Sequence, residues 1–242
     1  MLTFCGMTDI GLKRDTNQDS YYAGYIDDDT LLCVVCDGMG GANGGAFASK
    51  LAVSHFVQSI KDGKRGNTAE IALLIDKSVK EANRRVLDMA NSDTELSGMG
   101  TTLVCALFFK GKIYCASVGD SRIYVHANSH LSQLSHDHSY VQTLVDSGQI
   151  TIEQAKVHPN RNIITKAVGI SEEISADIFV LDEENTDGIL LCSDGLSGYV
   201  DGKELQAVAN TNKSPDEQVK LYIQMALDAG GTDNITAVYV KI

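Results

Sequence analysis

The stretch Leu31–Gly41, LLCVVCDGMGG, constrains this chain more than any other. Leu31 to Cys36 are apolar or small without a polar break, the pattern of a strand buried on both faces. The strand is read as ending on Asp37, with Gly38-Met39-Gly40-Gly41 turning away from it. A carboxylate at the end of a buried strand is costly unless a cation or several donors satisfy it. The glycine after it lets a bulky group come close to the backbone. A lone Asp-Gly reads as a plain turn, but here the design recurs. IYCASVGDS at 113–121 and ILLCSDG at 189–195 also run from an apolar strand into an Asp, and GGTDN at 230–234 opens the last strand with one. The pattern predicts one acidic cluster at the mouth of a sheet, which is a metal site.

The chain has 242 residues, enough to bury a full core, and its two prolines and lack of a Ser/Gly-rich run leave no sign of an interdomain linker. The formal charge of −12 argues against a nucleic-acid partner, which needs a basic face. The start, MLTFCGMTDIGLKRD, lacks the basic and long apolar segments of a signal peptide, and no apolar run approaches the length of a membrane span. The six cysteines all lie in strand-like apolar runs, where Cys acts as a small hydrophobe in a reducing compartment. Cys33-x-x-Cys36 has half the spacing of a zinc site. In a strand, however, an odd separation sends the two thiols to opposite faces, and no second ligand pair accompanies them. The chain therefore reads as cytoplasmic, with no membrane and no nucleic-acid partner.

Alternation predicts strands over 2–11 and 20–27, joined by the polar LKRDTNQD, then the strand 31–37. A helix is predicted over 45–61, with Ala48, Ala52, Val53, Phe56, Val57 and Ile60 on one face. A longer one over 69–90 carries Ile71, Ile75, Val79, Ala82, Val86 and Met89 as a core-facing stripe. Strands follow at 101–109 and 113–119 around a Lys110-Gly111 turn, then at 122–127. From 131 to 170 the pattern weakens to short helical segments at about 139–147 and 151–157, a stretch with little core of its own. Strands return at 175–182 and 188–193, helices at about 203–210 and 215–228, and a last strand at 234–241. Ser214-Pro215-Asp216-Glu217 is a helix start with cap, first-turn Pro and capping-box Glu. Hairpin-linked strands with paired helices predict an α+β fold, a two-sheet sandwich with helices outside.

The candidate ligands are Asp19, Asp37, Asp120, Asp194 and Asp233, with the Gly38 carbonyl. An all-oxygen set selects hard cations such as Mg²⁺, Mn²⁺ or Ca²⁺. Carboxylates from distant parts of the chain fit a two-metal site, in which two ions about 3.5–4 Å apart hold a water in line with a phosphorus atom. Asp37, with the Gly38 carbonyl, is assigned the bridging position. Arg14 lies five residues before Asp19. Taken alone it reads as a surface arginine; over the cluster it could clamp phosphate oxygens.

Seven segments occur in one order: RDTNQD (14–19), VCDGMGG (35–41), GMGTT (98–102), SVGDSR (117–122), ITKAVG (164–169), LCSDGLSG (191–198) and GGTDNIT (230–236). With them the chain resembles the metal-dependent protein serine/threonine phosphatases of type 2C, in their bacterial form. The resemblance covers essentially the whole chain and implies a single catalytic domain over 1–242. The implied fold is a four-layer αββα sandwich of two antiparallel sheets with helical pairs outside, plus a small helical flap at about 136–165. By position, Asp37, Asp194 and Asp233 match ligands of a first Mn²⁺ or Mg²⁺. Asp37 and the Gly38 carbonyl match the second, with Asp19 beside it, and Asp120 with Asp194 matches a third, weaker site. Arg14 matches the phosphate-binding arginine. Met39 stands where many eukaryotic members have a histidine proposed as general acid, a feature the bacterial DGMGG subtype shares; the leaving-group proton donor stays unassigned. His136 and His138, near the flap in SHDHS, read as locally hydrogen-bonded.

The implied activity is hydrolysis of phosphoserine and phosphothreonine in proteins by a metal-bridging hydroxide, without a phosphoenzyme; no Cys-x5-Arg nucleophile motif is present. The implied partners are phosphorylated proteins and a cognate bacterial Ser/Thr kinase of eukaryotic type, with the enzyme a monomer. Two other readings remain at this stage: a catalytically silent pseudophosphatase that regulates a partner, and a switch phosphatase acting on an anti-sigma antagonist. Retention of all five acidic positions weighs against the first, because unused buried carboxylates are costly.

Overall fold

The structure, a computed structural model, describes residues 2–242. Strands β1 (Thr3–Asp9), β2 (Asp19–Asp27) and β3 (Thr30–Met39) lead into helices α1 (Gly41–Asp62) and α2 (Thr68–Ser92). Then come β4 (Gly100–Thr101), β5 (Leu103–Phe109), β6 (Lys112–Val118), β7 (Arg122–Ala127) and β8 (His130–Gln133). Two short helices, α3 (Tyr140–Asp146) and α4 (Ile152–Lys156), precede β9 (Asp177–Asp182) and β10 (Gly188–Cys192). The chain closes with α5 (Asp194–Ser197), α6 (Gly202–Ala209), α7 (Pro215–Asp228) and β11 (Ile235–Lys241).

Strand parity builds the layers. One sheet runs β1-β11-β10-β7-β8 and the other β2-β3-β5-β6-β9, with β4 paired to the end of β3. Every pairing is antiparallel. Along β3, Leu31, Cys33 and Val35 face the other sheet, where Ile189, Leu191, Val238 and Val240 meet them. Leu32, Val34 and Cys36 face outward onto Phe56, Ile60, Ile75 and Val79 of α1 and α2. On the far side, Leu190, Cys192, Ala237 and Tyr239 pack under Leu205, Val219 and Tyr222 of α6 and α7. Each fully buried aliphatic side chain contributes about 2 kcal/mol. An exposed pair such as Lys80–Asp76 contributes about 0.5 kcal/mol, so the layers hold the fold. This is the α+β sandwich expected from the sequence. Cys33 and Cys36 sit on opposite faces of β3, which separates the thiols of the apparent zinc half-site.

Local signals account for most boundaries. Lys110 (φ 51°) and Gly111 (φ 72°) form the tight hairpin turn between β5 and β6. Ser214 accepts from the Glu217 N–H while Glu217 reaches back, with Pro215 opening α7. Asn67 and Glu70 make the same reciprocal cap on α2. The structure also departs from the sequence expectation. The strand through Asp37 does not stop there: Gly38 pairs with Thr101 and Met39 with Gly100, because the ladder passes from β5 to β4. Helix α1 begins four residues earlier than expected, while β8 and α5 were not expected at all. Among the described residues no helix is long and apolar enough to cross a membrane.

Candidate metal and phosphate site

The β2–β3 pairing sets the first two carboxylates side by side, since Asp19 is registered opposite Asp37 and directly opposed residues share a sheet face. Gly38 follows in close contact: its N–H donates to the Gln18 carbonyl (3.1 Å), and a Cβ there would lie 2.0 Å from the Gly45 carbonyl oxygen. Thr101 and Thr102 fix Asp37 from the adjoining strands. The Asp37 carbonyl accepts from the Thr101 hydroxyl and the Thr102 N–H, both at 2.8 Å, and the Asp37 N–H donates to Thr102 Oγ1 at 2.9 Å.

The other sheet delivers Asp194, the first residue of α5, and Asp233, two residues before β11. Asp194 and Asp37 are near enough that the charge of Asp194 raises Asp37. Asp120 comes from the turn after β6, where Gly119 takes φ +99°. Asp19 ties the sheets together: its Oδ2 accepts from the hydroxyls of Ser193 and Thr236, each at 2.7 Å. Its Oδ1 is buried and has no partner.

All five predicted carboxylates therefore converge on one end of the sandwich, and their electrostatics record it. Burial pushes Asp37 far above the usual carboxylate range, and the charges of Asp19, Asp194, Asp120 and Asp233 push it further. Asp19 rises to about 7 through burial, partly offset by its two hydroxyl donors. Asp120 rises to about 7 through burial and the charges of Asp194 and Asp137. Asp194 is raised by burial and by Asp233. Such repulsion calls for positive charge. The donor set is all oxygen, which suits a hard divalent cation, and the orphaned Asp19 oxygen has nothing else to satisfy it. Among the described residues no three His, Cys, Asp or Glu side chains already close into a finished cage. The hydrogen bonds explain this, since Asp233 gives one oxygen to Arg14 and one to its neighbour's N–H, and Asp19 gives one to two hydroxyls.

Arg14 is exposed and donates through Nη2 to Asp233 Oδ2 at 2.9 Å. Asn234 puts it there. Its side chain donates to the carbonyls of Ile10 and Thr16 and accepts from the Gln18 N–H, and the Leu12 N–H donates to the Gly231 carbonyl. The bond to Asp233 uses one of five guanidinium N–H groups, which leaves the fork able to clasp an anion above the carboxylates.

Ser193, Thr236 and Asn234 complete the site and were not singled out from the sequence. They lie inside the same LCSDG and GGTDNIT segments, so a search for hydroxyl and amide partners around each Asp would have found them. Arg122 was also passed over: it makes a bidentate bond to Asp137, with Nη2 at 2.7 Å and Nε at 3.0 Å. Between these groups and α3 and α4 runs a cleft of about 610 Å³, which reaches Asp120 and Asp194 at its floor. His136 is paired with Asp146 at 2.8 Å. His138 uses both ring nitrogens on Gly119 and Asp177. Neither histidine faces the carboxylates as a free acid.

The profile of the family described as protein phosphatase 2C matches residues 13–229. The chain belongs to that family. It is 37% identical over 235 residues to the serine/threonine phosphatase stp of Listeria monocytogenes, an alignment covering 97% of this chain and 93% of that one. The crystal structure of the serine/threonine phosphatase Stp1 from Staphylococcus aureus superposes with a TM-score of 0.94 at 37% identity, over 100% of this chain and 95% of that one. The catalytic domain of the phosphatase PstP, solved in complex with two manganese ions, matches with a TM-score of 0.88 at 32% identity, over 99% and 97% of the two chains.

Proposed function

We propose that this chain is a protein-serine/threonine phosphatase that uses two Mn²⁺ or Mg²⁺ ions. The observation that carries the reading is the convergence of five carboxylates, drawn from both sheets, beneath a guanidinium that retains free donors. Asp37, Asp194 and Asp233 would hold one ion, and Asp37 with the Gly38 carbonyl the other. The unpartnered Asp19 oxygen supports a place for it beside the second ion, directly or through water. Asp120 with Asp194 would hold a third, weaker ion. When bound, the two core cations activate a water and neutralise phosphoryl charge.

The chain's own residues supply the rest. Arg14 binds and orients the phosphoryl group through bidentate donors. Asn234 fixes the loop that carries Arg14, while Thr101 and Thr102 hold the Asp37 backbone rigid. Substrates would be phosphoproteins made by a cognate Ser/Thr kinase, with the enzyme a monomer, and six free cysteines, five of them buried, support a cytoplasmic location.

The test is hydrolysis of a phosphothreonine peptide with Mn²⁺ and with chelator, for the wild type and Asp194→Ala. Turnover that requires Mn²⁺ and disappears in the variant is the expected result. A folded wild type with no turnover in any divalent ion would return the reading to a silent regulatory protein.

A further inference from the structure

Gly119 stands at a junction that strand pairing does not complete. The β6 ladder ends at Val118 on one side and at Ser117 on the other, so the Gly119 N–H and carbonyl have no strand partners. Buried backbone groups of this kind require substitutes. One residue supplies both. The Gly119 N–H donates to His138 Nδ1 at 3.0 Å, and the His138 N–H donates to the Gly119 carbonyl at 2.9 Å. On its opposite side Gly119 is pressed against Thr102, where a Cβ would approach Cγ2 to 2.6 Å. Thr102 is the residue whose hydroxyl receives the Asp37 N–H. The turn carrying Asp120 is thus held between the floor of the site and His138.

His138 is also where the segment bearing α3 and α4 leaves and rejoins the body of the protein. Its carbonyl accepts from the Thr165 N–H at 2.8 Å, and the next pair, Ser139 and Ile164, forms an antiparallel bridge. The Tyr140 N–H donates to the Ile163 carbonyl at 2.8 Å. Because Nδ1 accepts, the imidazole is neutral with its proton on Nε2, and Nε2 lies 3.2 Å from Asp177 Oδ2 at the start of β9. Lys166 holds the other oxygen of Asp177 at 3.7 Å. The ring is therefore fixed in both tautomer and orientation.

From this geometry we infer that His138 is a positioning residue: it clasps the Asp120 turn to the base of the 139–164 segment, so that Asp120 and the part of the cleft lined by Ser139 and Val141 keep one fixed relation. Ser139 and Val141, directly after it, line the same cleft as Asp120 and Asp194. The inference rests on the phosphatase reading for its effect on turnover, but the clasp itself does not depend on it.

Two substitutions separate the bonds. In His138→Asn the side-chain amide oxygen falls where Nδ1 was and can accept from Gly119. In His138→Gln the amide reaches the Nε2 position, keeps the Asp177 contact and leaves the Gly119 N–H unpaired. Two readouts apply: amide hydrogen exchange of the protein in chelator, and Mn²⁺-dependent turnover of a phosphothreonine peptide. H138Q is expected to lose protection over 117–122 and 138–165 together and to lower kcat about tenfold, the scale of one lost hydrogen bond, with KM changing less than kcat. H138N is expected to retain most of both. Equal behaviour of the two variants, or loss of protection in 138–165 alone, would overturn the clasp. A wild type without turnover would count against the phosphatase reading, while the exchange pattern would still decide the clasp.

Discussion

Arg14 Nη2 lies 2.9 Å from Asp233 Oδ2, a pair that joins the loop after β1 to the segment before β11. Half of the Arg14 side chain is exposed, so the pair contributes less than about 1 kcal/mol to folding. Its value lies in aim, because a guanidinium tethered by one donor points the remaining four at whatever occupies the site. Arg14→Ala is therefore expected to lower kcat/KM for a phosphopeptide roughly 10- to 100-fold, the worth of a charge-assisted bidentate contact. Its melting temperature should stay close to that of the wild type. Arg14→Lys, which lacks the fork, is expected to recover little. Steady-state kinetics with a parallel melting curve checks this, and unchanged kcat/KM in the alanine variant would remove Arg14 from the site.

The carboxylates are assembled at a cost to the fold. Burial raises Asp194, and the neighbouring Asp233 charge raises it further. Asp194→Asn keeps the shape and removes one of the repelling charges. In chelator the variant is expected to be more stable than the wild type by roughly 1–2 kcal/mol, or a few degrees in melting temperature. Addition of Mn²⁺ should raise the melting temperature of the wild type and hardly move the variant. Calorimetry with and without Mn²⁺ decides it. A variant less stable than the wild type in chelator would mean that Asp194 is satisfied by its neighbours rather than strained by them.

The sequence exposes this site unevenly, for physical reasons. The buried runs before Asp37, Asp120 and Asp194 mark strand ends because a carboxylate after an apolar strand is costly, and the opposite facing of Cys33 and Cys36 follows from strand parity alone. Helix α5 has four residues, too few to show a period. Strand β8, His-Leu-Ser-Gln, is a mostly exposed edge with no alternation and exists through its pairing with β7. The partners of the carboxylates were hidden differently. Ser193 and Thr236 carry no charge to draw notice, and Asn234 meets Gln18 across 216 residues of chain, a contact that no local pattern encodes.

Gly38 is under a tight steric constraint at the site. An added Cβ would stand 2.0 Å from the Gly45 carbonyl oxygen and 2.6 Å from that of Gln18. Both are backbone atoms and cannot rotate away as a flexible side-chain end would. Gly38→Ala must displace either the start of α1 or the β2 edge, and so shift the Asp37 backbone. The expected result is a loss of roughly 3 kcal/mol of stability, in the range of other overpacking changes, and loss of more than about 100-fold in kcat, since small misplacements of reacting groups are expensive. Gly41→Ala is the control, because a Cβ there meets nothing within 4 Å. Its positive φ of 52° is expected to cost about 1 kcal/mol. Similar kinetics for both variants would contradict the steric argument.

The same carboxylates set a pH dependence that added cation opposes. Asp19 and Asp120 are each pushed up to about 7, mainly by burial, from an ordinary value of 3.8. Between those limits the folded chain binds protons that the unfolded chain has released, so folding is favoured at the lower pH and loses stability as pH rises toward 7. Carboxylates with depressed values, such as Glu81 beside Arg85 and Arg84, act in the opposite sense, but only below their ordinary value of 4.5. In chelator the melting temperature is therefore expected to fall from pH 5 to pH 8. Cations compete with protons for the same oxygens, so the increase produced by a fixed Mn²⁺ concentration should be larger at pH 8 than at pH 5.5. Melting curves at four pH values, with EDTA and with Mn²⁺, measure both slopes. A melting temperature that rises with pH in EDTA would show that burial does not raise Asp19 and Asp120 as their positions require.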